Sequence, residues 1–202
     1  MSLSVITLAP TTGQPPVGLF VALHGWGSNA QDLASLAPHI SLPTYQFCFP
    51  NAPLSHPQAP AGYMWYDLST QEGLPASRQL LLDWLNALSA ETKVPLAKII
   101  LAGFSQGGAM TLDIGARLPL AGLICLSGYL HPDVPSLLGE ETPPVLMIHG
   151  QHDPVVPLGA AQNAERALRD RGVSVQYHEM PIAHEISLPV LDLIQTFVTT
   201  LH

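Results

Sequence analysis

The sequence predicts an α/β fold: a mostly parallel, doubly wound sheet with helices on both faces, built as one domain over residues 1–202. Three observations predict it. Short β-rich runs alternate with helical periods along the chain, the order that produces parallel strands joined by crossover helices. Most of the β-rich runs are nearly continuous apolar stretches rather than alternating ones, as strands covered on both faces require. Finally, 202 residues with 47% hydrophobic content suffice for a core that hides roughly 70% of the unfolded surface without disulfides or metal.

Strands are expected at residues 4–8, 17–23, 45–49, 98–103, 123–127, 145–149 and 173–179. Between them, Leu81, Trp84, Leu85 and Leu88 fall at i, i+3, i+4 and i+7 after Pro75, which marks one helix. Residues 159–171 form a second, polar-faced helix with Gly172 as its cap. A third apolar stripe runs through Val190, Leu191, Ile194, Phe197, Val198 and Leu201. The proline-rich stretch 50–60 reads as one long surface loop. In sheets of this kind function gathers at the carboxyl ends of the strands.

Composition excludes several classes of function. Charged residues make up 11% of the chain, against about 25% in an ordinary domain. Seven basic and fifteen acidic residues give a net charge of −8, and the first basic side chain is Arg78. No Lys/Arg cluster exists to displace counterions from a nucleic acid, and an anionic membrane surface would repel the chain. Residues 1–77 lack the positive region that opens a secretory signal, and the apolar stretch 118–130 is broken by Pro119, Gly122 and Gly128. Cys48 and Cys125 lie in strand-like runs and read as buried reduced thiols. A cytoplasmic protein without stable membrane insertion is expected.

The sharpest motif is Gly103-Phe104-Ser105-Gln106-Gly107, directly after a strand and opening a helix. A serine on so tight a turn is held in a strained backbone, and side chains two before or two after it would collide. Glycine at both places relieves the collision and lifts the hydroxyl clear of the sheet. The turn also leaves the Gln106 amide at a helix N-terminus, ready for negative charge.

Such a serine needs a base and a group to orient that base. Asp153 follows the strand ending at Gly150, and His184 follows the next strand, which completes the order Ser, acid, His. Asp133, Asp113 and Glu179 are rivals for the acid; His178, His202, His39 and His56 are weaker candidates for the base. Leu23-His24-Gly25-Trp26-Gly27 ends the second strand with small residues, where the Trp26 amide is the expected second oxyanion donor. Trp65, Tyr66 and Leu68 are candidate pocket residues, with core packing as the alternative for Trp65. His149, His152 and Asp153 lack a metal-ligand spacing, so neither metal nor other cofactor is expected.

With these residues in hand, the chain resembles the phospholipase/carboxylesterase family of small serine hydrolases, which includes bacterial carboxylesterases and acyl-protein thioesterases. The likeness rests on Leu-His-Gly-x-Gly at 23–27, Trp65-Tyr66-Asp67, Gly-Phe-Ser-Gln-Gly-Gly at 103–108 and Leu-Ser-Gly-Tyr-Leu at 126–130. It continues in His-Gly-Gln-His-Asp-Pro-Val-Val-Pro at 149–157 and Ala-His-Glu-Ile at 183–186. One departure is Ser28, where the family's turn carries an acidic residue. The resemblance implies an α/β-hydrolase fold, Ser105, Asp153 and His184 as a triad, and Trp26 and Gln106 as oxyanion amides. It implies a small acyl ester as substrate, with thioesters or lysophospholipids as alternatives. A dienelactone-hydrolase-like enzyme, a peptidase and a non-catalytic binding module on the same fold are the competing readings.

Overall fold

A computed structural model describes residues 3–139 and 141–201. Its main sheet has seven strands in the order β1-β3-β2-β6-β7-β8-β9. These are β1 (Val5–Leu8), β2 (Gly18–Leu23), β3 (Tyr45–Pro50), β6 (Ile99–Phe104), β7 (Gly122–Leu126), β8 (Val145–Gly150) and β9 (Val175–Met180). All neighbours are parallel except β1, which runs antiparallel to β3. Each expected strand is present within two residues of its expected ends. The five central strands carry the continuous apolar run that two covered faces demand, whereas the edge strands β1 and β9 are more exposed.

Among the described residues five α-helices flank the sheet: α1 (Ala30–Ala34), α2 (Leu74–Thr92), α3 (Gln106–Gly115), α4 (Leu158–Arg169) and α5 (Leu188–Thr200). Alternation along β2 separates two cores. Leu19, Val21 and Leu23 pack with residues of α2, α3 and α4, whereas Phe20 and Ala22 pack with residues of α1 and α5. Of the stripe on α2, Leu81 and Leu85 are fully buried, worth about 1.5–3 kcal/mol for each side chain, and Trp84 and Leu88 are partly buried against the same core.

Three details differ from expectation. Helix α1 is only five residues long, too short to announce itself by periodicity. The stretch 50–60 is not one plain loop: it contains β4 (Leu54–Ser55), which pairs antiparallel with β5 (Tyr63–Met64). Helix α4 stops at Arg169, and Gly172 serves the turn beyond it with φ of 80°. There Gly172 N–H donates to Arg169 O at 3.0 Å and Val173 N–H to Leu168 O at 3.1 Å. That pair of bonds is the Schellman closure, which needs a left-handed residue. His202 lies outside the described residues.

Gly172→Ala keeps the helix but forces a Cβ into left-handed backbone, at a cost of about 1–2 kcal/mol. Urea unfolding of the two proteins measures it as a lower midpoint at unchanged slope.

Candidate active site

Strand order decides where the site lies. The chain leaves β2 toward β3 on one side and later returns to β6 on the other, so the carboxyl ends of β2 and β6 flank the point where the winding reverses. Leu23 is paired with Gly103 there. The turn after β2 and the turn after β6 are therefore neighbours, although Gly103 comes 80 positions after Leu23 in the chain.

Ser105 joins β6 to α3 with φ of 57° and ψ of −116°, a conformation that strains any residue with a side chain. A Cβ on Gly103 would stand 2.1 Å from Gly107 O, and one on Gly107 would stand 2.1 Å from Leu23 O. Both contacts are with backbone that cannot move aside, so glycine is required at both positions. Ser105 N–H is anchored on Leu126 O at 2.8 Å, and its side chain lines a cavity of about 910 Å³.

The turn after β2 is braced from below. Buried His24 accepts Ala52 N–H on Nε2 at 3.0 Å, which leaves its Nδ1–H to donate to Gly25 O at 2.8 Å. Burial pulls the His24 pKa down, and the neutral ring suits both bonds. Trp65 Nε1–H donates to His24 O at 2.9 Å, and Gly27 N–H to Tyr63 O at 2.9 Å. Among the described residues, the backbone N–H groups of Trp26 and Gln106 have no protein acceptor. Trp26 borders the cavity with its indole half exposed and edge-to-face with His56, 4.0 Å between centroids. Ser28 borders it too, and its Oγ–H donates to Asp32 at 2.6 Å, so an acidic group reaches this turn from α1.

The loops after β8 and β9 are zipped together. Gln151 N–H donates to Met180 O at 2.7 Å and His152 N–H to Ile182 O at 3.1 Å. Gly150 permits this, since a Cβ there would lie 2.2 Å from Ala183 O. As a result His184 Nδ1–H donates to Asp153 Oδ2 at 2.7 Å, while Oδ1 accepts the amides of Val155 and Val156 at 2.8 and 2.9 Å. Burial alone would raise the Asp153 carboxyl. The hydrogen bonds of His184, Val156 and Val155 outweigh it and hold the group below its ordinary value. His184 and Ser105 border the same cavity, with no hydrogen bond between them among the described residues. Such contacts commonly close only when substrate is bound.

The structure thus brings Ser105, Asp153, His184, Trp26 and Gln106 to one place, and adds Leu68 to the cavity wall. Trp65 and Tyr66 are not in that wall. Both are buried beneath it, because their rings complete the core and their backbone holds Gln106. Trp65 N–H donates to Gln106 Oε1 at 2.9 Å, and Gln106 Nε2–H donates to Tyr66 O at 2.8 Å. Sequence reading missed Tyr129 and His131, which border the cavity after β7. The signal was present in the run Leu-Ser-Gly-Tyr-Leu at a carboxyl strand end. His149 was missed as well: it is buried behind Asp153 and donates to Val156 O at 2.9 Å.

The rival acids are engaged elsewhere. Asp113 is wholly buried in α3, where Arg78 reaches both its oxygens at 2.8 and 2.6 Å, Arg117 donates at 2.9 Å and His131 Nδ1–H at 2.8 Å. Asp133 caps the same cluster through Arg78 at 3.0 Å. Burial pushes Asp113 up, but the bonds from His131, Arg78 and Arg117 prevail and hold it well below the usual carboxylate range. Glu179 is bonded to Gln162 and Tyr177.

The model of a family described as Phospholipase/Carboxylesterase matches residues 10–202. The chain belongs to the phospholipase/carboxylesterase family. It is a hydrolase with that family's α/β-hydrolase fold. Acyl-protein thioesterase 1 of Neurospora crassa is 30% identical over 200 residues, covering 87% of this chain and 80% of its own. The crystal structure of esterase PE8 superposes with a TM-score of 0.90 at 34% identity over the whole of both chains. The Bacillus cereus carboxylesterase shares the fold, with a TM-score of 0.85 at 15% identity, over 99% of this chain and 95% of its own.

Two outcomes follow from this geometry. Gly150→Ala must push the 182–183 backbone away and displace His184, so kcat/KM for an acyl ester is expected to fall about 100-fold, while circular dichroism stays that of a folded protein. Asp113 has a folded pKa below its unfolded one, so its stabilisation is complete above the ordinary carboxylate pKa of about 4. It is lost as pH falls through the lowered folded value. Asp113→Asn is therefore expected to be less stable at neutral pH and to lose less further stability on acidification, as urea midpoints measured from pH 6 downward will read.

Proposed function

We propose that the chain hydrolyses neutral carboxylic esters through an acyl-serine intermediate. The observation that carries the reading is a strained Ser105 on the wall of the same cavity as His184, whose ring is held by Asp153 at 2.7 Å. His184 takes the Ser105 proton on Nε2 as the hydroxyl attacks the ester carbonyl. Asp153 keeps the other proton on Nδ1 and stabilises the imidazolium. The unclaimed amides of Trp26 and Gln106 receive the oxyanion, each worth about 2.7–4 kcal/mol on precedent. His184 then protonates the leaving alcohol, and water repeats the sequence on the acyl enzyme.

Substrate class is read from the cavity. Its volume of about 910 Å³ has no Asp, Glu, Lys or Arg lining it among the described residues, and Leu68, Val155, Ala160 and Ala164 are apolar lining residues. An anionic or phosphate-bearing group would find no counter-charge there. This favours a short- to medium-chain neutral acyl ester over a lysophospholipid. Thioester hydrolysis is the second reading, favoured by the likeness to acyl-protein thioesterase 1, and it uses the same residues. A cytoplasmic location suits two buried, unbridged cysteines.

A fluorophosphonate probe is expected to label the wild type and not Ser105→Ala; equal labelling of both would end the reading. Asp153→Asn is expected to lower kcat by about 10⁴ through loss of the correct imidazole tautomer, as steady-state hydrolysis of p-nitrophenyl acetate will measure.

A further inference from the structure

A second hydrogen-bonded chain reaches the cavity. It runs from Asp113 through His131 and Tyr66 to Tyr129. His131 Nδ1 stands 2.8 Å from Asp113 Oδ2, His131 Nε2 stands 2.8 Å from Tyr66 Oη, and Tyr66 Oη stands 2.5 Å from Tyr129 Oη. Asp113, His131 and Tyr66 are buried, whereas Tyr129 is half-buried on the cavity wall.

The direction of these bonds is set from the buried end. Asp113 is a carboxylate gripped by two guanidinium groups, so it accepts and His131 Nδ1–H donates. Asp113 and Asp133 are balanced in charge by Arg78 and Arg117, so the cluster calls for no further cation, and the ring gives its Nδ1 proton to Asp113. Its Nε2 then accepts the Tyr66 proton, and Tyr66 Oη accepts the Tyr129 proton. Burial also keeps the Tyr66 phenol protonated. The single proton of Tyr129 is thereby turned inward, and its oxygen retains only lone pairs.

Other polar side chains on the wall are already occupied. The Gln106 amide is bonded to Trp65 and Tyr66, both His131 nitrogens are bonded, and Ser28 donates to Asp32. Apart from the residues proposed for the chemistry, Tyr129 and the exposed Asn163 on α4 are left to meet a substrate.

We propose that Tyr129 determines acyl specificity by offering an acceptor-only oxygen, so that hydroxyacyl esters are preferred over plain alkyl esters of equal length. Tyr66, His131 and Asp113 are its positioning residues. This rests on the assignment of Ser105 and its cavity to ester hydrolysis.

The test uses p-nitrophenyl hydroxyhexanoates with the hydroxyl moved along the chain. Each is paired with the ester in which methyl replaces the hydroxyl and with an equal-length ether analogue that can only accept. In the wild type one hydroxyl position is expected to raise kcat/KM about fivefold over its methyl partner, the usual worth of one neutral hydrogen bond, while the ether gains nothing. Tyr129→Phe is expected to bring that ratio to about one. Tyr66→Phe frees the Tyr129 proton toward the cavity, so the ether analogue is expected to gain over methyl, an exchange that lost packing would not produce. These ratios are internal to each protein and do not depend on the yield of folded material. No hydroxyl preference at any position in the wild type, or one retained by Tyr129→Phe, overturns the assignment of Tyr129; an ether that gains nothing in Tyr66→Phe overturns the positioning chain. If Ser105→Ala still hydrolyses the alkyl esters, the nucleophile reading has failed instead, and the two failures are told apart.

Discussion

Everything at this site depends on three stretches of backbone that touch where side chains would forbid it. Gly103 lies against Gly107, and Gly107 lies against the end of β2 at Leu23. Those approaches let α3 start directly on the sheet, force Ser105 into positive φ, and bring the turn after β2 beside it. The conformation is costly by itself, and the Ser105 amide bond to Leu126 O and the buried face of α3 hold it in place. Gly150 repeats the device between β8 and β9, where close backbone approach brings Asp153 under His184.

Scarcity of charge acquires a structural meaning. Of seven basic residues, Arg78 and Arg117 are committed to Asp113 and Asp133, which ties α2, α3 and the segment after β7 together behind the cavity. An unpaired Asp113 at that depth would cost far more than its bonds return, so the cluster is an all-or-none feature. Among the described residues the cavity wall itself carries no Asp, Glu, Lys or Arg. Charge is used to build the wall and kept out of what the wall touches.

Much of this was legible along the chain. Most of the seven strands announced themselves through apolar continuity, and the Gly-Phe-Ser-Gln-Gly run identified a turn whose strain follows from its spacing. Asp153 and His184 were legible by order, each following a strand end. Other features had no local signature. Trp65 and Tyr66 sit in a loop-rich stretch beside Leu68, and nothing in their spacing tells which rings turn inward. That was settled by a core that needed two large side chains and by Gln106, whose amide required the backbone partners they supply. The pairing of β4 with β5 depends on bonds two residues long, below what periodicity can register.

The sequence by itself determined the class of fold, the strained serine and the order of the groups that follow it, because each depends on contacts between residues near in sequence or on the covering of whole strands. Tertiary structure alone decided the partners: that Asp113 belongs to arginines and a histidine, that Tyr129 is bound through Tyr66, and that Trp65 supports the site from beneath. Apart from Arg117 and His131, which lie 4 and 18 residues from Asp113, these contacts join residues 35 to 65 apart in the chain, and only the packing of helices on the sheet sets them.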